Sequence, residues 1–161
     1  MERPYAVIDI DGVVADVRHR LHHLQRRPKD WVAFFDRLED DPLLDVGAAA
    51  VAQLAQDCDI VWLTGRPETY REPTERWLRR HGLPLGVLLM RRAGDRRPAR
   101  IAKLERVRAL AADRPVAVHL DDDAAVVRAV RRAGFDVLHA DWMGQAPQLT
   151  LFDAQEREGR T

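Results

Sequence analysis

The feature of this sequence that most constrains its fold is an apolar run that ends in two carboxylates. Residues 5–8, Tyr-Ala-Val-Ile, lead directly into Asp9-Ile10-Asp11-Gly12. A short run of branched apolar residues is typical of a buried strand in a parallel sheet. Two aspartates beside such a strand are costly unless a cation, a proton or hydrogen-bond donors compensate them. The stretch therefore predicts a metal site or a proton-transfer site at the end of the first strand.

Strands and helices are predicted to alternate along the rest of the chain. Further strand-like runs occupy residues 59–63, 85–90, 116–120 and 135–140, and helical patterns lie between them. This alternation predicts an α/β fold, a three-layer Rossmann-like parallel sheet with helices on both faces. Ligands of such sheets bind outside the carboxyl ends of the strands, so the functional site is expected there.

One domain is expected to span residues 1–144, with a small cap-like helical insertion at residues 13–45 after the first strand. Residues 145–161 form a polar C-terminal tail without a clear period. We expect this tail to be loose or to be used in contacts that the sequence does not reveal.

The insertion is predicted to hold two short helices, one at residues 19–24 and one that opens at residues 28–30. Trp31, Phe34 and Phe35 follow at helical spacing and are predicted to pack inward, with a base-stacking or lid role as the alternative. The histidines of the first helix are better explained as a solvated cluster than as a metal site, because no neighbouring acid or cysteine completes a ligand set.

Composition limits the possible metals and partners. Cys58 is the only cysteine, so a metal would rely on carboxylates, with histidines as further candidate ligands, which favours a hard cation such as Mg²⁺. The net charge of +0 gives no reason to expect general attraction to nucleic acid or to a membrane. No apolar run reaches the ~20 residues that cross a bilayer, and no signal-peptide pattern opens the chain. A cytoplasmic protein without a membrane role is therefore expected.

Polar residues follow several of the predicted strands. They are Thr64-Gly65-Arg66 after the second strand, Lys103 early in the helix after the third, and Asp121-Asp122 after the fourth. Together with Asp9 and Asp11, this ordered set resembles the four motifs of the haloacid dehalogenase (HAD) superfamily of phosphotransferases.

Within that superfamily, residues 63–67, 90–103 and 120–134 are similar to the 3′-phosphatase domain of bacteriophage-type polynucleotide kinase. The kinase half has no counterpart in the sequence, since no Gly-rich loop with Lys-Ser or Lys-Thr occurs. The resemblance therefore implies phosphatase chemistry alone.

The resemblance implies an Mg²⁺-dependent phosphomonoesterase that works through an aspartyl-phosphate. Asp9 would be the nucleophile, and Asp11 would protonate the leaving oxygen and then deprotonate the attacking water. Mg²⁺ would be held by the Asp9 carboxylate, the Asp11 backbone carbonyl and Asp121, with Asp122 as a fourth or supporting ligand.

Further residues are expected to hold the phosphoryl group. Thr64 would donate its hydroxyl, Lys103 would neutralise negative charge, and backbone amides at Gly12 and Gly65 would add donors. Arg66 is expected either to reach the substrate phosphate or to pair with a nearby acid.

The substrate is expected to be a phosphomonoester at a DNA or RNA 3′ end. Arg92 belongs to a run of arginines at residues 91–100 that lies close to the site in sequence, and the short insertion leaves the site open to a large substrate. The stretch from Asp9 to Asp16 is also similar to the 5′(3′)-deoxyribonucleotidase branch, so a mononucleotide or another small phosphate is the alternative. A phospho-receiver domain and a metal-binding module are the non-enzyme alternatives.

Overall fold

The structure, a computed structural model, describes residues 2–144 and 149–159. In this part of the chain the strands form one sheet in the order β3-β2-β1-β4-β5. They are β1 (Tyr5–Ile8), β2 (Asp59–Pro67), β3 (Val87–Arg91), β4 (Val116–Asp121) and β5 (Val137–His139). Every neighbouring pair is parallel, and β1 lies at the centre. The first strand therefore delivers its two aspartates to the middle of one sheet edge.

Helices cover both faces of this sheet, as the sequence predicts. The described ones are α1 (His22–Gln25), α2 (Trp31–Asp36), α3 (Asp45–Leu54), α4 (Arg71–Arg80), α5 (Ala99–Asp113), α6 (Ala124–Arg132) and α7 (Leu149–Arg157). Across residues 2–144 and 149–159, every helix is too short or too polar to span a membrane. The predicted α/β three-layer fold is confirmed.

The side chains of β1 alternate between two buried clusters, as the period of a strand requires. Ala6 and Ile8 pack on the face covered by α3 and α4, whereas Tyr5 and Val7 pack on the face covered by α5 and α6. Burial on both faces explains why the strand is apolar throughout instead of alternating with polar residues.

The segment between β1 and α3 forms the predicted small insertion, with α1 and α2 around an apolar cluster of its own. Asp30 caps α2, because its carboxylate accepts a hydrogen bond from the Ala33 amide at 2.9 Å. Phe34 and Phe35 are buried as predicted, whereas Trp31 remains partly exposed. The three aromatic side chains of α2 are therefore divided between the core and the surface.

The C-terminal tail was expected either to be loose or to make contacts, and its described part makes contacts with the rest of the protein. Leu151 of α7 is fully buried in the cluster of the insertion. Glu158 forms an ion pair with Lys29 of the insertion, and Glu156 accepts a hydrogen bond from Arg100 of α5. Residues 145–148, 160 and 161 lie outside the described residues.

Two strand boundaries differ from the sequence prediction. Residues 64–67, which follow the predicted second strand at residues 59–63, continue β2, although the pairing with β3 shifts between Leu63 and Pro67. Gly86, expected inside the third strand, precedes β3. A Cβ atom at Gly86 would lie 1.9 Å from the Ile60 carbonyl oxygen, so the close approach of the two chains requires glycine there.

Candidate active site

The candidate catalytic residues lie at the carboxyl ends of three strands. Asp9 follows β1, Thr64 lies in the last part of β2, and Asp121 ends β4. Lys103, in an early turn of α5, joins them, and each of these residues is at most 3% exposed. The fold thus brings together residues that are up to 112 positions apart in sequence around one buried group of charges.

Lys103 is the cation at the centre of this group. Its Nζ lies 2.7 Å from Asp121 Oδ2 and 3.1 Å from Asp9 Oδ2. Burial alone would lower the pKa of Lys103, but Asp121 and Asp9 raise it above its usual range. Lys103 therefore stays charged, and it holds the pKa of Asp121 below that of an ordinary carboxyl despite the burial of Asp121.

Asp9 has a different electrostatic environment from Asp121. Burial raises the pKa of Asp9 to about 7; Lys103 opposes this rise, and Asp121 adds to it. Asp9 Oδ1 accepts a hydrogen bond from the Ile10 amide at 2.8 Å. The Asp9 carboxyl therefore binds a proton near neutral pH unless a further cation stabilises its charge.

Asp122 completes an acidic cluster with Asp9 and Asp121. One oxygen from each of the three carboxylates lies within 4.8 Å of the others. Burial, followed by the charges of Asp9 and Asp121, raises the pKa of Asp122 well above its usual value. Within the described residues, neither carboxylate oxygen of Asp122 has a hydrogen-bond partner. Such a set fits a hard cation such as Mg²⁺, which binds carboxylate oxygens and keeps positions for water or phosphate.

The side chain of Asp11 faces two arginines. Arg66 Nη2 lies 2.6 Å from Asp11 Oδ1, and Arg20 Nη2 lies 3.0 Å from the same oxygen. Burial would raise the pKa of Asp11, but Arg66 and Arg20 together lower it below the usual value. The pKa values of the two aspartates that follow β1 are thus shifted in opposite directions, upward for Asp9 and downward for Asp11.

Asp41 is buried and links these two arginines in one hydrogen-bond network. Its carboxylate accepts hydrogen bonds from Arg20 Nε at 2.7 Å and from Arg66 Nη2 at 3.1 Å, and His19 Nε2 lies 2.7 Å away. Arg20 and Asp41 are not among the site residues predicted from the sequence, since neither lies in a motif. No pattern in the sequence indicates that either residue is buried.

The Arg66 side chain is fully buried and makes several hydrogen bonds within the protein. Besides its bonds to Asp11 and Asp41, its Nη1 donates to Thr74 Oγ1 at 3.3 Å. The geometry therefore favours pairing with acids, the second of the two roles expected for Arg66, over a contact with substrate.

The other residues expected to bind substrate are Gly12, Gly65 and Arg92, and they have different surroundings. Gly12 has a φ of 78°, a conformation that favours glycine, and its amide donates to the Ala15 carbonyl at 2.9 Å. The Gly12 amide therefore takes part in the turn after β1. Gly65 and Arg92 line a cavity shared with Thr64 and Lys103.

The fold is also found among solved structures of known class. L-2-haloacid dehalogenase from Xanthobacter autotrophicus is 14% identical, and the match covers 98% of this chain and 90% of that chain with a TM-score of 0.56. This similarity, together with the sheet order, defines the class of the fold as haloacid dehalogenase-like.

Residues 4–142 match the family described as the polynucleotide kinase PNKP phosphatase domain. This match covers well over half of the chain, so the chain belongs to that family and is a HAD-type phosphatase. No curated protein sequence matches it at a significant level.

Two solved assemblies contain similar chains. The structures of the Pnkp1/Rnl/Hen1 complex and of the Pnkp1/Rnl/Hen1 RNA repair complex each match at 26% identity, with TM-scores of 0.71 and 0.72. The matches cover 86% and 85% of this chain but only 45% and 42% of those chains. The chain thus spans less than half the length of these relatives.

These findings set aside the non-enzyme alternatives. A flavodoxin-like receiver domain has the strand order 2-1-3-4-5, whereas this sheet has the order β3-β2-β1-β4-β5. The receiver hypothesis is therefore wrong, and the family is one of phosphatases.

Proposed function

We propose that this protein is an Mg²⁺-dependent phosphomonoesterase that removes 3′-phosphates from the ends of DNA or RNA. The observation that carries the proposal is that the two aspartates after β1 have different ion-pair partners. Asp9 lies beside Lys103 in an acidic cluster, whereas Asp11 is held away from that cluster by Arg20 and Arg66. This difference supports attack by Asp9 and proton transfer by Asp11.

In the first step of the proposed reaction, an Asp9 oxygen attacks phosphorus and the bond to the leaving oxygen breaks. Asp11 gives a proton to that leaving oxygen. A phosphate dianion beside Asp11 raises the pKa of its carboxyl through like-charge repulsion, which counteracts the two arginines and favours the protonated form. The products are the free 3′-hydroxyl and a phosphoryl group on Asp9.

In the second step, water attacks the phosphoryl group on Asp9. Asp11, now ionised, accepts a proton from that water, and the Asp9 carboxylate is released with inorganic phosphate. The arginines suit this step, since they keep Asp11 in the form that accepts a proton.

Charge on the transferring group is balanced by residues of the chain and by the cation. Lys103 provides a fixed positive charge, and the Thr64 hydroxyl, whose oxygen accepts from the Arg66 amide at 3.2 Å, retains its hydrogen for a phosphoryl oxygen. The carboxylates of Asp9, Asp121 and Asp122 and the carbonyl of Asp11 would hold Mg²⁺. When bound, Mg²⁺ reduces repulsion between carboxylate and phosphate and orients the phosphoryl group.

The polynucleotide substrate is supported by the family and by the rim of the site. The family takes its description from a polynucleotide kinase, and one related assembly is an RNA repair complex. Arg92 and Arg96 are exposed on the loop after β3, close to the cavity with Thr64 and Lys103, where they could contact backbone phosphates.

The test is a comparison of phosphate release from 3′-phosphorylated DNA and RNA oligonucleotides and from 5′- and 3′-mononucleotides, with and without Mg²⁺. We expect Mg²⁺-dependent release, with oligonucleotides preferred. Asp9→Asn should abolish release, whereas Asp57→Asn, a change at an exposed acid before β2, should not. A clear preference for mononucleotides would overturn the substrate assignment, and release by Asp9→Asn at the wild-type rate would overturn the mechanism.

A further inference from the structure

A second cavity, of about 350 Å³, adjoins the candidate active site. It shares Arg91, Arg92 and Asp95 with the cavity that Thr64 and Lys103 line. Its volume lies in the range of about 300–1,000 Å³ that is usual for small-molecule sites. A group bound there would therefore lie next to the position proposed for the phosphate.

One wall of this cavity is aromatic. Trp31 and Phe35 of α2 stack with ring centroids 5.8 Å apart and an interplanar angle of 23°, and Phe35 contacts the ring of Tyr70 at 5.1 Å. Phe35 is 3% exposed, whereas Trp31 and Tyr70 are only partly buried. Val32, beside Trp31, is 65% exposed and also lines the cavity. Apolar side chains therefore remain exposed to the cavity, beside the buried apolar cluster of the insertion.

Positively charged side chains also line this cavity. Arg96 and Arg92 are exposed on the loop that closes the cavity, and within the described residues neither has an ion-pair partner. By contrast, Arg97 on the same loop pairs with Asp95 and Glu105. Of the three arginines that line the cavity, Arg92 and Arg96 are therefore available for an external anion, whereas Arg91 is buried and bonded to Asp95 and to the Arg97 carbonyl.

A cavity lined by aromatic rings and by exposed arginines suits one class of ligand. Nucleobases stack on aromatic rings and on guanidinium planes, and such stacking tolerates any base, because every base has a π-face. We propose that this cavity binds the base of the nucleotide that carries the scissile phosphate. Trp31 and Tyr70 provide the stacking surface, and Arg92 and Arg96 contact the next backbone phosphate. This inference rests on the proposed function and adds a specificity site to it.

The first experiment compares two substrates that differ only in the terminal base. One oligonucleotide ends in an ordinary 3′-phosphorylated nucleotide, and the other ends in an abasic sugar 3′-phosphate. Wild type should prefer the base-bearing end by roughly tenfold in kcat/KM, through KM, as expected for one stacked base. The preference should fall towards one in Trp31→Ala, return in part in Trp31→Phe, and persist in Val46→Ala, a truncation of an exposed apolar residue on α3.

The outcomes separate this inference from the proposed function. If wild type hydrolyses both ends equally, or if Trp31→Ala keeps the full preference, the base site is refuted while the phosphatase stands. If wild type hydrolyses neither oligonucleotide, the proposed function itself fails.

A second measurement does not depend on the folding of a tryptophan variant. Arg92→Gln and Arg96→Gln change exposed side chains. For each substrate phosphate that the variant no longer neutralises, the slope of log affinity against log salt should become shallower by about 0.7. Slopes equal to that of wild type in both variants would contradict the assignment of these arginines.

Discussion

Asp41 holds Arg20 through two hydrogen bonds, from Nε to Oδ1 at 2.7 Å and from Nη2 to Oδ2 at 2.8 Å. Both side chains are fully buried. The same Nη2 atom of Arg20 lies 3.0 Å from Asp11 Oδ1. Asp41 therefore sets the direction in which Arg20 meets the proposed proton donor, although Asp41 itself belongs to the insertion.

Asp41→Asn should weaken both the fold and the catalysis. Removal of one partner from a buried ion pair costs about 3–5 kcal/mol, because the other charges stay buried without compensation. The free energy of unfolding, measured in urea, should fall by that amount. In protein that remains folded, the pH profile of kcat should shift, since Asp41 balances the arginines that set the pKa of Asp11.

Asp40→Asn is the matched control for Asp41→Asn. Asp40 is the preceding residue, and its carboxylate pairs with Arg37 at 2.9 Å on the surface, where both side chains are 59% exposed. Loss of an exposed pair costs about 0–1 kcal/mol. Equal destabilisation by the two changes would contradict the role given to Asp41.

Lys103→Met should lower kcat/KM by about 10²–10³-fold, the usual effect of losing one charged or hydrogen-bonding group that stabilises a transition state. Steady-state kinetics with a 3′-phosphorylated oligonucleotide measure this change. Arg108→Met removes a positive charge from the exposed side of the same helix and serves as the control. The role of Lys103 would be refuted if both variants kept wild-type rates.

Asp122→Asn should have opposite effects on the protein with and without Mg²⁺. In the metal-free protein, the change removes a buried acid that has no hydrogen-bond partner in the described structure and that is repelled by Asp9 and Asp121. Thermal unfolding without metal should therefore occur at the same or a higher temperature than in wild type. The rise in Tm that Mg²⁺ gives to wild type should be lost, because one ligand is missing. A variant that retains the full Mg²⁺-dependent rise would contradict the assignment of Asp122.

Asp95 provides a test of the loop that borders both cavities. Hydrogen bonds from Arg97 lower the pKa of Asp95 to about 2, from the ordinary value of 3.8. Because the folded pKa is depressed, the stabilisation by Asp95 is fully present above about pH 4 and is lost as the pH falls towards 2. A carboxyl titration by NMR should give the low pKa in wild type and a higher one in Arg97→Gln. An unchanged pKa in Arg97→Gln would show that the contact does not set it.

The part of the site that could be predicted from sequence is the part that the sheet positions. Asp9, Thr64 and Asp121 each lie at or near the carboxyl end of a strand, and parallel strands bring these ends to one edge whatever the intervening chain does. Asp123 directly follows β4 and caps α6, since its carboxylate accepts a hydrogen bond from the Ala125 amide at 2.8 Å.

The part that could not be predicted depends on packing outside the sheet. Arg20 and Asp41 come from the insertion, where no strand register fixes the direction of a side chain. Leu151 of α7 completes the apolar cluster of that insertion, but the short helix carries too few apolar residues for a recognisable period. Contacts between such segments follow from the whole fold and leave no local pattern in the sequence.

The central claim is that Asp9 receives the phosphoryl group, and trapping of the phosphorylated enzyme tests it most directly. Asp11→Asn should form this intermediate from an aryl phosphate, whose leaving group needs no proton, but should release it slowly because the base for the second step is missing. After an acid quench and proteolysis, mass spectrometry should find one phosphoryl group on the peptide that contains Asp9. A phosphoryl group on any other residue, or substrate turnover without any phosphorylated Asp9, would contradict the account.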